Sequence, residues 1–242
     1  LDVVQFLAPS QLGLVMDYAD LTKGLAITDA KINYIDETYN VPTIKQRDVH
    51  YTATEMVMTL TSEGKPAFDI QWRVSNSDVA FRYNVPQPKR DFHAAVVKDE
   101  ATGFTVAAGT TTFLCPQMTP MSGFAATGPS YETHYTCDEA TGKNGWGDGY
   151  VFPALFRNGN KGWMLISETG TTSAYCGCHL ANTGGDSYKV TFPNVKELNG
   201  LHSSTPGLSL PASTPWRTIT VGKTLEPLMT TTVAWDVVEE QY

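Results

Sequence analysis

Charge is scarce in this chain and nowhere concentrated. Of 242 residues, 17% are Asp, Glu, Lys or Arg, with 17 basic against 25 acidic, and the formal net charge is −8. No basic run exceeds Lys89-Arg90. A nucleic-acid binder needs a basic stripe with interleaved aromatic side chains, so that class is excluded. No apolar run approaches the roughly 18 residues that a membrane-spanning helix requires. Helical stripes longer than about ten residues are also missing, Leu225–Met229 being the best short candidate. There is no Gly-x-Ser-x-Gly, the turn that presents a nucleophilic serine in many hydrolases, so His134 and His179 have no recognisable nucleophile and read as ordinary surface or core histidines. The chain begins at Leu1 with neither Met nor a signal peptide, from which we expect that an upstream piece has been removed.

Cysteine is sparse too. Of the four, Cys176-Gly177-Cys178 is spaced too tightly for a zinc knuckle, which uses Cys-x₂₋₄-Cys pairs. Cys115 and Cys137 flank a segment rich in Pro, Gly, Ser and Thr. Either they close it with a disulfide, as an oxidising compartment allows, or they are buried thiols.

What the sequence has in quantity is alternation. Ile70, Trp72 and Val74 fall on one face before the polar break Ser75-Asn76-Ser77-Asp78, and Val79, Phe81 and Tyr83 fall on one face after it. Two period-2 runs around such a break predict a β-hairpin with one buried face, leaving Arg73 and Arg82 on the other. Similar runs occur at Leu12–Met16, Leu25–Ile27, Tyr51–Leu60, Ala94–Val97, Phe104–Ala107, Val151–Phe156, Trp163–Ile166, Tyr188–Phe192 and Arg217–Val221. Asn158-Gly159 is a hairpin turn between two of them. Asp36–Pro42 and Asp99–Gly103 read as polar loops, and 115–149 as the least regular part, with aromatic residues that argue against disorder. Turn signals recur every 8–12 residues or so, the spacing of sandwiches and barrels. The expected fold is all-β, a single large β-sandwich domain over residues 1–242 with few or no helices.

Several segments resemble the N-terminal domain of glycoside hydrolase family 97, the bacterial α-glucosidases and α-galactosidases. They are, in the family's order, Pro9–Leu14, Asp78–Tyr83, Pro129–Tyr135, Trp163–Gly170 and Thr214–Ile219. Asp78 stands where the family usually has Gly, and Cys176-Gly177-Cys178 is outside its pattern. The resemblance implies a mutarotase-like super-sandwich packed on a downstream catalytic (β/α)₈ barrel that this chain lacks, in a periplasmic or secreted bacterial enzyme. It implies that Glu132 reaches across the domain boundary to a calcium ion shared with barrel carboxylates, which suits an ion wanting six to eight oxygens or so.

A glycosidase needs two carboxyl groups about 5–9 Å apart across the scissile bond. The neighbouring acids here (Asp17/Asp20, Asp36/Glu37, Asp99/Glu100, Asp138/Glu139, Glu239/Glu240) lie in turn-like contexts and read as solvated, so no catalytic residue is assigned. Glu168, after the strand Trp163–Ile166, either caps a turn or faces sugar. Trp146, flanked by glycines, is either a sugar-stacking platform or a loop anchor. Three functions remain open. The first is the non-catalytic N-terminal domain of a glycosidase acting on α-linked glucose or galactose, with carbohydrate and the barrel as partners. The second is a free-standing carbohydrate-binding or mutarotase-like sandwich. The third is a secreted structural or adhesion sandwich. The reading frame beyond Tyr242 separates the first from the others.

Overall fold

A computed structural model describes residues 4–117, 134–142, 149–198 and 203–239. In chain order the strands are β1 (Leu7–Ala8), β2 (Leu14–Met16), β3 (Asp20–Leu21), β4 (Leu25–Asn40), β5 (Asp48–Ser62), β6 (Lys65–Val74), β7 (Asp78–Val85), β8 (Ala94–Glu100) and β9 (Gly103–Val106). There follow β10 (Thr111–Phe113), β11 (Glu139–Ala140), β12 (Ala154–Arg157), β13 (Trp163–Thr169), β14 (His179–Gly184), β15 (Ser187–Thr191), β16 (Gly207–Ser209), β17 (Ala212–Ser213) and β18 (Trp216–Gly222). Two short helices, α1 (Glu226–Thr230) and α2 (Val233–Asp236), close the described chain.

One ten-stranded antiparallel sheet runs β11-β10-β12-β13-β18-β7-β6-β5-β4, with β17 also on β7. Two four-stranded sheets, β1-β9-β15-β14 and β16-β8-β2-β3, supply the opposing layer. The main core forms where these layers meet. Phe68, Ile70, Phe81, Tyr83, Phe156, Met164 and Ile166 of the large sheet pack with Leu14, Val97, Phe104, Leu180, Tyr188 and Val190 of the small ones. Tyr83 joins the layers with its hydroxyl, which accepts from Gly13 N–H at 3.0 Å and bonds Thr102 Oγ1 at 2.9 Å. The architecture is an all-β sandwich, as expected.

The hairpin read from alternation is β6–β7, with Trp72 opposite Phe81 and Val74 opposite Val79. Phe81 and Tyr83 are fully buried, whereas Trp72 is only half-buried against the core edge. The two arginines occupy the opposite face and lie over the Trp216 ring, Arg73 at 5.2 Å and Arg82 at 4.5 Å from its centroid. Trp216, Ala80, Val233 and Val237 form a second small core there, beneath the helical end of the chain.

Two expectations fail, and one open alternative is decided. Residues 36–40 are the end of β4 and not a loop: β4 is an edge strand exposed on both sides, so no apolar alternation marks it, and its register with β5 runs unbroken from Asp29 to Asn40. Asp99 and Glu100 end β8 instead of forming a turn, and Glu100 is fully buried. Cys115 and Cys137 form no disulfide; one is buried and the other exposed.

Phe81→Ala should lower stability by about 3–5 kcal/mol, the usual cost of a cavity left by a deleted ring. Urea unfolding measures this, and a loss below roughly 0.5 kcal/mol would make the hairpin peripheral to the fold.

Candidate functional site

Glu132 and Trp146 lie outside the described residues, but the residues flanking both segments converge. Gln117 N–H, at the end of one described stretch, donates to Gly149 O at 2.9 Å, the start of another. Tyr150 and Leu180 exchange both backbone hydrogen bonds at 2.8 Å, tying this junction to β14. On the other side Thr136 N–H donates to Leu114 O at 2.8 Å, and Leu114 N–H to Thr136 Oγ1 at 2.6 Å.

Glu168 is described, and it belongs to a buried ionic cluster. It lies on β13 directly across from Arg217 on β18. Its Oε2 accepts from Arg217 Nη1, and its Oε1 accepts from Cys178 N–H at 2.8 Å. Arg217 is 1% exposed and turns its remaining donors to Glu100, Nε to Oε1 at 2.9 Å and Nη2 to Oε2 at 2.6 Å. Tyr175 adds its hydroxyl to Glu100 Oε2 at 2.6 Å, and Arg217 Nη2 also reaches Cys178 Sγ at 3.3 Å. Three segments far apart in sequence thus meet on one guanidinium. Its planar fork suits this task, presenting five donors in fixed directions.

The two carboxylates titrate in opposite directions. Burial pushes Glu100 up, but the charge of Arg217 and hydrogen bonds from Arg217, Tyr175 and Thr102 outweigh it and leave the carboxyl below its ordinary value. Burial also pushes Glu168 up and there prevails, because it shares Arg217 with Glu100, whose own charge opposes its ionisation. Arg217 is raised well above its ordinary value: burial alone would lower it, yet the facing carboxylates more than compensate. Burial and the Glu100 charge likewise raise Tyr175.

Of the expected histidines, His179 is buried at the start of β14 and His134 is described without a role in this cluster. The chain after Glu168 (Thr169, Gly170, Thr171, Thr172) lines one wall of a cleft of about 670 Å³, with Arg82 and Trp235 across from it. A larger cleft of about 870 Å³, between Tyr18, Phe92 and three lysines, involves none of the expected site residues. Among the described residues no three His, Cys, Asp or Glu side chains are gathered to hold a metal. Sequence reasoning missed Glu100, Tyr175 and Arg217. The only hint was an arginine inside the otherwise uncharged β18 run.

The carboxylates of this cluster are locked on an internal arginine and hold the fold together from within. The chain matches the family Glycosyl-hydrolase 97 N-terminal over residues 1–239 and belongs to that family. It is similar to the crystal structure of a beta-arabinopyranosidase, with a TM-score of 0.93 and 44% identity over 98% of this chain and 38% of that one. A curated relative, the probable retaining alpha-galactosidase of Streptomyces bingchenggensis (strain BCW-1), is 27% identical over 222 residues, 89% of this chain and 30% of that protein. A glycoside hydrolase family 97 enzyme from Pseudoalteromonas sp. strain K8, solved with panose, shares the fold at a TM-score of 0.78 and 18% identity, over 98% of this chain and 34% of that one. The chain therefore spans about a third of the length of these relatives.

Because the Glu100 carboxyl lies lower in the folded than in the unfolded chain, its stabilisation is complete above the unfolded value of about 4.3 and is lost as pH falls through the folded value. Glu168 has the opposite sign, since the stability tied to its raised carboxyl is lost as pH rises through it. Glu100→Gln should therefore lower stability at neutral pH by about 3–5 kcal/mol, the usual cost of breaking a buried pair, and flatten the acid limb of the stability curve. Urea midpoints collected from neutral to acid pH check this; an acid limb identical to that of the parent chain would assign the effect to other carboxylates.

Proposed function

We propose that residues 1–242 form one β-sandwich unit, the N-terminal part of a bacterial glycoside hydrolase, supporting and partly lining the active site of a downstream barrel. The substrates we assign are α-galactosides and β-L-arabinopyranosides, which keeps the galactose of the expectation, drops its glucose and adds a pentopyranose. A β-L-arabinopyranoside has the ring stereochemistry of an α-D-galactoside without the exocyclic CH₂OH, so one pocket shape accepts both. The observation that carries this choice is the likeness to the beta-arabinopyranosidase at 44% identity and a TM-score of 0.93. The alpha-galactosidase relative points the same way. The bacterial origin of the named relatives supports a bacterial enzyme, which we assign to the periplasm or to secretion.

Within this unit we assign Glu132 as one calcium ligand and Trp146 as a stacking surface for a sugar ring. A single carboxylate cannot satisfy calcium's roughly six to eight oxygens. On this reading Glu132 supplies one part of a ligand set that barrel carboxylates complete. When bound, calcium supplies a fixed positive charge beside the substrate. Glu168 acts from a distance. Both its oxygens have internal partners, and a sugar hydroxyl reaches it only by displacing one of them.

The 242-residue chain alone should not hydrolyse aryl glycosides. Joined to its barrel, it should cleave aryl α-galactosides or β-L-arabinopyranosides at least about tenfold faster than aryl α-glucosides, a difference worth about 1.4 kcal/mol in the transition state. A preference for the glucoside would reverse the substrate assignment. Turnover by the isolated chain that one internal carboxylate substitution abolishes would overturn the supporting role.

In the same joined protein, Glu132→Gln removes a charge and a strong ligand at nearly constant volume, so calcium affinity should fall and activity should recover as calcium is raised. Glu168→Gln should instead leave the calcium dependence unchanged, because both its oxygens already have internal partners. Calorimetric calcium titration of both variants separates the two roles, and parental calcium binding by Glu132→Gln would return it to an ordinary loop carboxylate.

A further inference from the structure

Cys176 and Cys178 have no place in the function proposed above, yet they are held in a defined relation to each other. The Cys178 thiol folds back along the chain and donates to Cys176 O at 3.5 Å. The Cys176 thiol donates to Ser204 O at 3.6 Å. Both ends of this short stretch are anchored. On one side Tyr175 is buried with its hydroxyl on Glu100, and on the other Cys178 N–H is held by Glu168 and its sulfur by Arg217. Gly177 between them has no side chain to separate the two sulfurs, and a Cβ there would sit 3.4 Å from Glu168 Oε1. Accessibility differs across the pair: Cys176 is half-exposed, whereas Cys178 is buried.

We propose that Cys176-Gly177-Cys178 is an oxidisable dithiol, a modification site that closes to an intrachain disulfide by exchange with a small disulfide such as oxidised glutathione. In the first step the Cys176 thiolate attacks one sulfur of the oxidant, forms a mixed disulfide and expels one glutathione thiolate. In the second, the Cys178 thiolate attacks Cys176 Sγ and expels the other. The dithiol gives up two protons and two electrons, and the oxidant becomes two thiols. Exchange favours an accessible, low-pKa attacking thiol. The bonding in place supports this division of labour. The neighbouring Cys178 thiol draws Cys176 below its ordinary value, while the Cys176 neighbour and burial push Cys178 up. The attacking group is therefore Cys176, and Cys178 is the resolving partner once Cys176 has been capped. Closure also removes the Cys176 thiol proton from Ser204 O, releasing the connection that leads into β16.

Incubating the native chain with oxidised glutathione, blocking remaining thiols with iodoacetamide and digesting with trypsin tests this directly. Both cysteines fall in the fragment Gly162–Lys189, which holds neither Cys115 nor Cys137. That fragment should become two hydrogens lighter and refractory to alkylation, and a thiol reductant should reverse the change. Cys178→Ser should stop at the first step and accumulate glutathione on Cys176, while Cys176→Ser should gain none on Cys178. Circular dichroism verifies that each variant is folded before it is compared. A parental fragment that stays fully alkylated, or that carries glutathione without closing, would overturn the proposal. Equal glutathione uptake by the two variants would do the same.

Discussion

A guanidinium in a protein interior is tolerable only if its positive charge and its donors are answered, and Arg217 is answered from three directions. Glu100 comes from the end of β8 in a small sheet, Glu168 from β13 in the large sheet, and Cys178 from the approach to β14 in the other small sheet. Burying charges is costly, and an ion pair of this kind returns little net stability over well-packed apolar residues. Removing one partner is a different matter, because the others are left charged and dry. The cluster therefore fixes the relative placement of three sheets, in a protein whose layers are otherwise joined mainly by non-directional apolar contact and by the hydroxyl of Tyr83.

How much of this could be read from the chain depends on where the information lies. The β6–β7 hairpin was legible because one face is buried, which writes period 2 into the sequence, and the polar break fixed its register. Trp72 was read as core like its neighbours but sits at the margin of the second layer, a matter of where that layer stops. β4 was legible only at its start. With both faces exposed along most of its length there is no buried side to impose alternation, and Asp36-Glu37-Thr38-Tyr39-Asn40 looks like any polar loop. Helix α1 was visible as a short apolar segment, whereas α2 is a single turn and carries no periodic signal.

The candidate site was harder for a related reason. Glu168 stood out because it follows a clear strand, but its partner is 49 positions away and the shared guanidinium lies 117 positions from Glu100. Glu100 next to Asp99 resembles a solvated pair, and in fact the two point apart: Asp99 meets Lys189 at the surface while Glu100 enters the core. Alternate residues of a strand face opposite sides, so adjacent acids on a strand are separated by the sheet itself. Nothing local in the sequence distinguishes that from a turn. The family resemblance held because it draws on order along the whole chain, information that no single window contains.

The exposed strand β4 carries a final consequence. It ends the ten-stranded sheet, its outer row of peptide groups has no strand beyond it among the described residues, and Ile32 and Tyr34 are 69% and 70% exposed. An edge of that length is a template on which another chain could crystallise its own backbone, the first step of uncontrolled polymerisation. Three features oppose this. Asp29, Lys31, Asp36 and Glu37 place charge along the edge, the register breaks between Ile27 and Asp29, and Asp29 and Lys31 pair with each other. These are safeguards of solubility, written into a strand whose side chains contribute little to the core it borders.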